Sequence, residues 1–134
     1  MDNTTGITDL QQLIANMEPV LNEGEYVFVS VSDITTIPRA MTICEMREKE
    51  GITVVLAKKD AIALGLAFEF VAAWITLNIH SALEAVGLTA AFATALGKND
   101  ISCNVIAGYY HDHIFVDTKD KEKAMNVLWE MTKQ

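Results

Sequence analysis

The stretch "GLTAAFATALGKNDISCNVIAGYYHDHIFVDTKDKEKAMNVL", residues 87–128, passes from a helical pattern to a strand pattern and back to a helical one. Leu88, Phe92 and Leu96 recur every fourth residue with Ala95 beside them, which is one apolar helical face, and Gly97 is the expected stop. "ISCNVIA" and "IFV" then read as two strands, joined by "GYYHDH", where Gly108 and Asp112 are turn residues. Ala124, Val127, Leu128 and Met131 return to helical spacing, with Asp117 or Thr118 as the cap. The apolar run "FEFVAAWITLNI", Phe68 to Ile79, precedes all of this and reads as a long buried strand. The order from Phe68 onward is therefore β-α-β-β-α. Antiparallel strands with helices on one face are the economical way to pack it.

The first half gives a looser pattern. Leu10, Leu13, Ile14 and Met17 form a helical stripe behind a Thr8/Gln11 capping box, and Pro19 hinders continuation. "YVFVSVS", Tyr26 to Ser32, is a strand, and "DITTIPRA" is a loop or edge because Pro38 has no N–H for a ladder. "MTICEMR" and "ITVVLA" form a hairpin closed at Gly51, and Asp60 caps a short helix that stops near Gly65.

Bulk properties narrow the function. The chain has 134 residues, 51% of them hydrophobic and 21% charged, enough for a sizeable core. A formal net charge of -8 is a poor match for nucleic acid or anionic lipid. The opening "MDNTTGITDL" lacks the basic and apolar regions of a signal peptide. Ala61–Leu77 contains Glu69 and falls short of the ~20 residues a membrane span needs. Cys44 and Cys103 lie in apolar strand-like patterns, as packed free thiols would in a reducing compartment. The expected location is the cytoplasm.

Few residues suggest catalysis. His111 and His113 are two apart, so on one strand they share a face with Asp112 opposite. A metal site would need a third ligand, and His80 is the only other histidine. A metal-dependent enzyme using His80, His111 and His113 is accordingly a distant alternative, and a structural hairpin tip the simpler reading. Ser81 beside His80 lacks the nucleophile-elbow pattern, and "EMREKE" is a solvated charge run. No catalytic residue, metal or cofactor is assigned. At "NIHSALEAVG", Ser81 with Glu84 fits a capping box, while Gly87 favours a helix start just after it. In either case, free backbone N–H groups at a strand-to-helix junction can hold a carboxylate without a basic side chain.

"WITLNI", "HSALEAVG", "LTAAFATAL", "ISCNVIA", the Tyr109–His113 hairpin and "EKAMNVL" together resemble the ACT domain, a small amino-acid-sensing regulatory module. "SALEAVGLTAA" and "GYYHDHIFV" are similar to signatures of small bacterial proteins built from two ACT-like halves, and related tandem folds occur in cytosolic arginine sensors. The resemblance implies an α+β fold of two ferredoxin-like βαββαβ units, with antiparallel sheets and helices on one face. A divergent N-terminal unit would span 1–66 and a C-terminal ACT domain 67–134. It further implies a ligand, often an amino acid, held by the loop Asn78–Gly87 and the strand Ser102–Ala107. His80, Ser81, Val86 and Gly87 would line that pocket beside Asn78, Asn104 would reach in from the strand, and Glu84 or Asp112 would hold an amino group. A non-catalytic module of this kind would form a homodimer through its sheet edges and act on a regulated protein partner. The alternative is an interaction and oligomerisation module with no ligand.

Overall fold

A computed structural model of the chain describes residues 5–79 and 87–133. In chain order it contains α1 (Thr5–Ala15), β1 (Glu18–Leu21), β2 (Tyr26–Val31), two 3-10 turns (Ile34–Thr36 and Arg39–Met41), β3 (Cys44–Arg47), β4 (Ile52–Ala57) and α2 (Lys58–Ala63). It continues with β5 (Val71–Asn78), α3 (Leu88–Lys98), β6 (Cys103–Ala107), β7 (Asp112–Asp117), a 3-10 turn (Thr118–Asp120) and α4 (Lys121–Met131). The chain divides into two compact units. One is Glu23–Ala73, and the other joins Met1–Asn22 to Trp74–Gln134.

In the 23–73 unit the strand order is β3-β4-β2-β5. Strands β2 and β4 are antiparallel along their full length, from Tyr26↔Ala57 to Val31↔Ile52. Val27, Val29, Val54, Leu56, Ile37 and Ala61 form its core, as alternation along paired strands requires. Pro38 has the expected effect, since two 3-10 turns stand where a ferredoxin-like unit has its first helix. Asp33 Oδ1 caps the first of them, accepting from the Thr35 N–H at 2.9 Å and its hydroxyl at 2.6 Å. Asp60 does not cap α2; it lies in the first turn, and Ala57 holds the cap position with no side-chain bond. The helix stop does match expectation. Gly65 adopts a left-handed φ of 69°, with Leu66 N–H on Ala61 O and Gly65 N–H on Ile62 O, the hydrogen-bond pair of a Schellman cap.

In the other unit the strand order is β1-β5-β7-β6. Buried residues alternate along this unit's part of β5 (Ile75, Leu77), run consecutively on β7 (Ile114, Phe115, Val116), and recur on α3 (Leu88, Phe92, Leu96) and α4 (Ala124, Leu128). These are the helices and strands expected from the opening stretch. Strand β1 runs antiparallel to β5, from Glu18↔Asn78 to Leu21↔Ile75. It follows α1, so the strand completing this sheet precedes the other unit in the chain. Pro19 sits buried at this position, opposite Leu77.

Several boundaries differ from the sequence reading. Helix α1 begins at Thr5, which puts Thr8 inside it rather than at its cap, and Met17 follows the helix, tied by its N–H to Ile14 O. Strand β5 starts at Val71 rather than Phe68, because its pairing with β2 begins at Val27↔Val71. Helix α3 runs through Gly97 to Lys98. Its left-handed residue is Asp100, φ 59°, with Ile101 N–H on Leu96 O and Asp100 N–H on Gly97 O. Asp117 caps the 3-10 turn that leads into α4 and not the helix itself, its carboxylate accepting from Lys119 N–H. Among the described residues no helix is long and apolar enough to cross a membrane. Cys44 on β3 and Cys103 on β6 are half-buried free thiols, and burial raises the Cys103 pKa.

Candidate functional site at the ends of the β5–α3 connection

Of the residues expected to bind ligand, His80, Ser81, Glu84 and Val86 lie outside the described residues. The two that bracket them are placed. Asn78 is the last residue of β5, half-buried and opposite Glu18 of β1. Gly87 occupies the N-cap position of α3 with φ 90° and ψ -11°, and its carbonyl accepts the Ala91 N–H at 2.9 Å. The junction is therefore a strand end facing a helix start, with Gly87 in a conformation that L side chains rarely adopt. A Cβ added there would lie 3.2 Å from Leu10 Cδ2 of α1. Gly87→Val should cost about 1–3 kcal/mol through backbone strain, read as a lower urea midpoint at unchanged slope. An unchanged midpoint would mean that the left-handed turn is not held.

Asn104 and Asp112 fall on opposite faces of the β6–β7 hairpin. Asn104 pairs with Phe115 and is exposed, whereas Asp112 pairs with Ala107 and shares strand parity with the buried Ile114 and Val116. Strand alternation sends the two side chains apart, so one small ligand does not meet both from this hairpin. A separate cavity of about 620 Å³ lies against α3 and α4. Ala91, Ala95, Lys98, Lys123 and Val127 line it, and none of the described residues expected to bind ligand does.

The two histidines do not stand side by side on one strand. Gly108 N–H bonds His111 O at 2.9 Å, which closes the turn and leaves His111 before β7. Tyr109 and Tyr110 project from this turn, 79% and 77% exposed, their rings 5.0 Å apart and edge to face. His113 lies on β7, where its Nδ1 accepts the Trp74 indole N–H at 3.0 Å and sits 3.2 Å from Thr76 Oγ1. Trp74 in turn stacks on Phe115, centroids 6.0 Å apart. Burial pushes the His113 imidazole below its ordinary pKa, His111 adds to that, and Asp112 opposes it. The His111 Nδ1 is buried with no hydrogen-bond partner among the described residues. Among those residues no group of three or more His, Cys, Asp or Glu side chains is placed to hold a metal ion. Nothing local in the sequence announces the Trp74–His113 bond, whose partners lie 39 residues apart.

Both halves of the chain match ACT-domain models, one over residues 5–73 and a second over 69–130. No curated protein matches. Among solved structures, a Vibrio cholerae protein of unknown function, for which transport has been suggested, is 45% identical with a TM-score of 0.85, over 95% of this chain and 98% of that one. The regulatory subunit of aspartate kinase from Thermus thermophilus has a TM-score of 0.61 at 8% identity, covering 84% of this chain and 95% of that one. Escherichia coli aspartokinase III in complex with aspartate and ADP has a TM-score of 0.59 at 11% identity, over 88% of this chain and 33% of the enzyme. The last two likenesses concern the fold alone. On the two consecutive model matches, and on the ferredoxin-like units that carry them, the chain belongs to the ACT-domain family, with two ACT domains in tandem.

Proposed function

We propose that this chain is a non-catalytic, cytoplasmic regulatory module that binds a small molecule, an amino acid, in the connection from β5 to α3. The observation that carries this reading is the placement of Asn78 at the end of β5 and Gly87 at the start of α3, in a chain made of two ACT domains. Solved structures of the same fold include an aspartokinase in complex with aspartate and the regulatory subunit of an aspartate kinase. In this reading His80, Ser81, Val86 and Gly87 line the pocket beside Asn78, and backbone N–H groups at the start of α3 take the ligand carboxylate. Asn104 contributes from β6 and Glu84 holds the amino group; Asp112, on the opposite face of the hairpin, would take that role only for a ligand that Asn104 does not touch. As stretches of sequence the two ACT repeats divide as 1–66 and 67–134, a boundary distinct from that of the compact units Glu23–Ala73 and Met1–Asn22 with Trp74–Gln134. The module pairs with a second copy through its open sheet edges, and ligand shifts how it pairs with itself or with a regulated protein.

The test is thermal unfolding of chelator-treated protein against the common amino acids at ~10 mM each. Ligand at 100 times its dissociation constant adds about 2.7 kcal/mol, a shift of several degrees in a chain this size. A shift confined to one or two related amino acids, and abolished in a folded Ser81→Trp variant, is the expected result. A flat response across the panel would sink the amino-acid reading and leave an interaction and oligomerisation module without a ligand.

A further inference from the structure

The Trp74–His113 bond constrains the proton on His113. An indole N–H can only donate, so the His113 Nδ1 that receives it at 3.0 Å must present a lone pair. The imidazole is then neutral, with its hydrogen on Nε2. A second proton would sit on Nδ1 and point at a donor. Thr76 Oγ1, 3.2 Å away, could accept it, but the indole could not. Trp74 is held by its stack on Phe115, so the imidazole is the partner left to move.

That movement would reach the hairpin tip. A Cβ built on Gly108 would lie 3.3 Å from both Cδ2 and Nε2 of His113 and 2.9 Å from His111 O, so the turn packs directly on the ring. The same turn carries the exposed Tyr109–Tyr110 pair. We propose that His113 is a proton-sensitive latch on the β6–β7 hairpin: as the neutral imidazole it accepts the Trp74 N–H and ties the tip to β5, and on taking up a proton it lets go.

The surroundings agree. Strand β5 presents Trp74 and Thr76 to the ring, and β6 presents Ile106 directly opposite, none of them titratable. The turn contributes His111, which shares a positive charge poorly with its neighbour, and β7 itself contributes Asp112 and, farther along, Asp117. Across β5, Glu18 of β1 stands opposite Asn78. Burial first, and His111 second, hold the His113 pKa below its ordinary value, while Asp112 pulls the other way. The unfolded chain therefore takes up this proton more readily than the folded one. Stability is full above the ordinary imidazole value of about 6.5 and declines as pH falls from there toward the lowered folded value.

The experiment is an NMR titration of the full-length protein from about pH 8 to about pH 5, following the imidazole nitrogens, the Trp74 indole N–H and exchange of the Gly108 amide. The expected result is an Nε2–H tautomer for His113 at the upper end. The His113 signals, the Trp74 indole signal and loss of Gly108 protection should then share one midpoint below that of an ordinary histidine. An Nδ1–H tautomer, or a Trp74 signal that stays put while His113 titrates, would overturn the latch. His113→Asn offers an amide oxygen near the Nδ1 position and no proton to gain. Its Trp74 signal and Gly108 protection should not change with pH, and a persisting transition in that variant would also overturn the proposal. No ligand enters the measurement, so its outcome is independent of the amino-acid reading.

Discussion

Phe92→Ala should lower the unfolding free energy by about 3–5 kcal/mol, a large share of the roughly 5–15 kcal/mol that holds a typical domain. Phe92 is fully buried on α3, one turn from Leu88 and one from Leu96, both buried as well. Truncation removes the transfer energy of the ring and leaves a hole between helix and sheet that close-packed neighbours cannot fill. Phe92→Leu keeps most of the volume and should lose far less, about 1 kcal/mol. Urea unfolding monitored by circular dichroism separates the two. Equal midpoints for wild type and Phe92→Ala would mean that α3 does not pack as described.

Removing residues 1–22 should be costlier still. The segment holds β1, whose four residues pair with β5 from Leu21↔Ile75 to Glu18↔Asn78. It also holds the buried Met17 and Pro19. Each buried apolar side chain contributes about 1.5–3 kcal/mol, and the exposed edge of β5 would lose its backbone partners. The truncated chain should lose at least about 4 kcal/mol and unfold over a broad range rather than in one cooperative step. An unchanged thermal midpoint would show that β1 is dispensable to the sheet it closes. Adding the 1–22 peptide in trans should restore part of the loss, since the docking surface on β5 and α4 would remain.

These two sites show how differently parts of the molecule could be read. The Leu88/Phe92/Leu96 stripe and the Ala124/Leu128/Met131 stripe are visible from spacing alone, because a helix repeats every 3.6 residues and its buried face repeats with it. β-Branched and aromatic content marked β2, Gly51 marked the hairpin into β4, and Pro38, lacking an N–H, marked the segment that forms 3-10 turns. The bounds of the β5–α3 connection were equally legible, since Asn78 ends the strand and Gly87 precedes the helix as the motif suggested.

What the sequence by itself determined, then, were the elements whose causes lie within a few residues of one another, together with membership in a family of two-unit chains. Tertiary structure alone decided the rest. Pairing with β2 set the start of β5, Asp100 took the left-handed position expected near Gly97, and Glu18–Leu21 became the strand that closes the sheet of the Trp74–Gln134 unit. Strand parity separated Asn104 from Asp112, and a bond across 39 residues joined Trp74 to His113. Hydrogen-bond partners and burial between distant segments arise only when the chain closes on itself, and neighbouring residues carry no imprint of them.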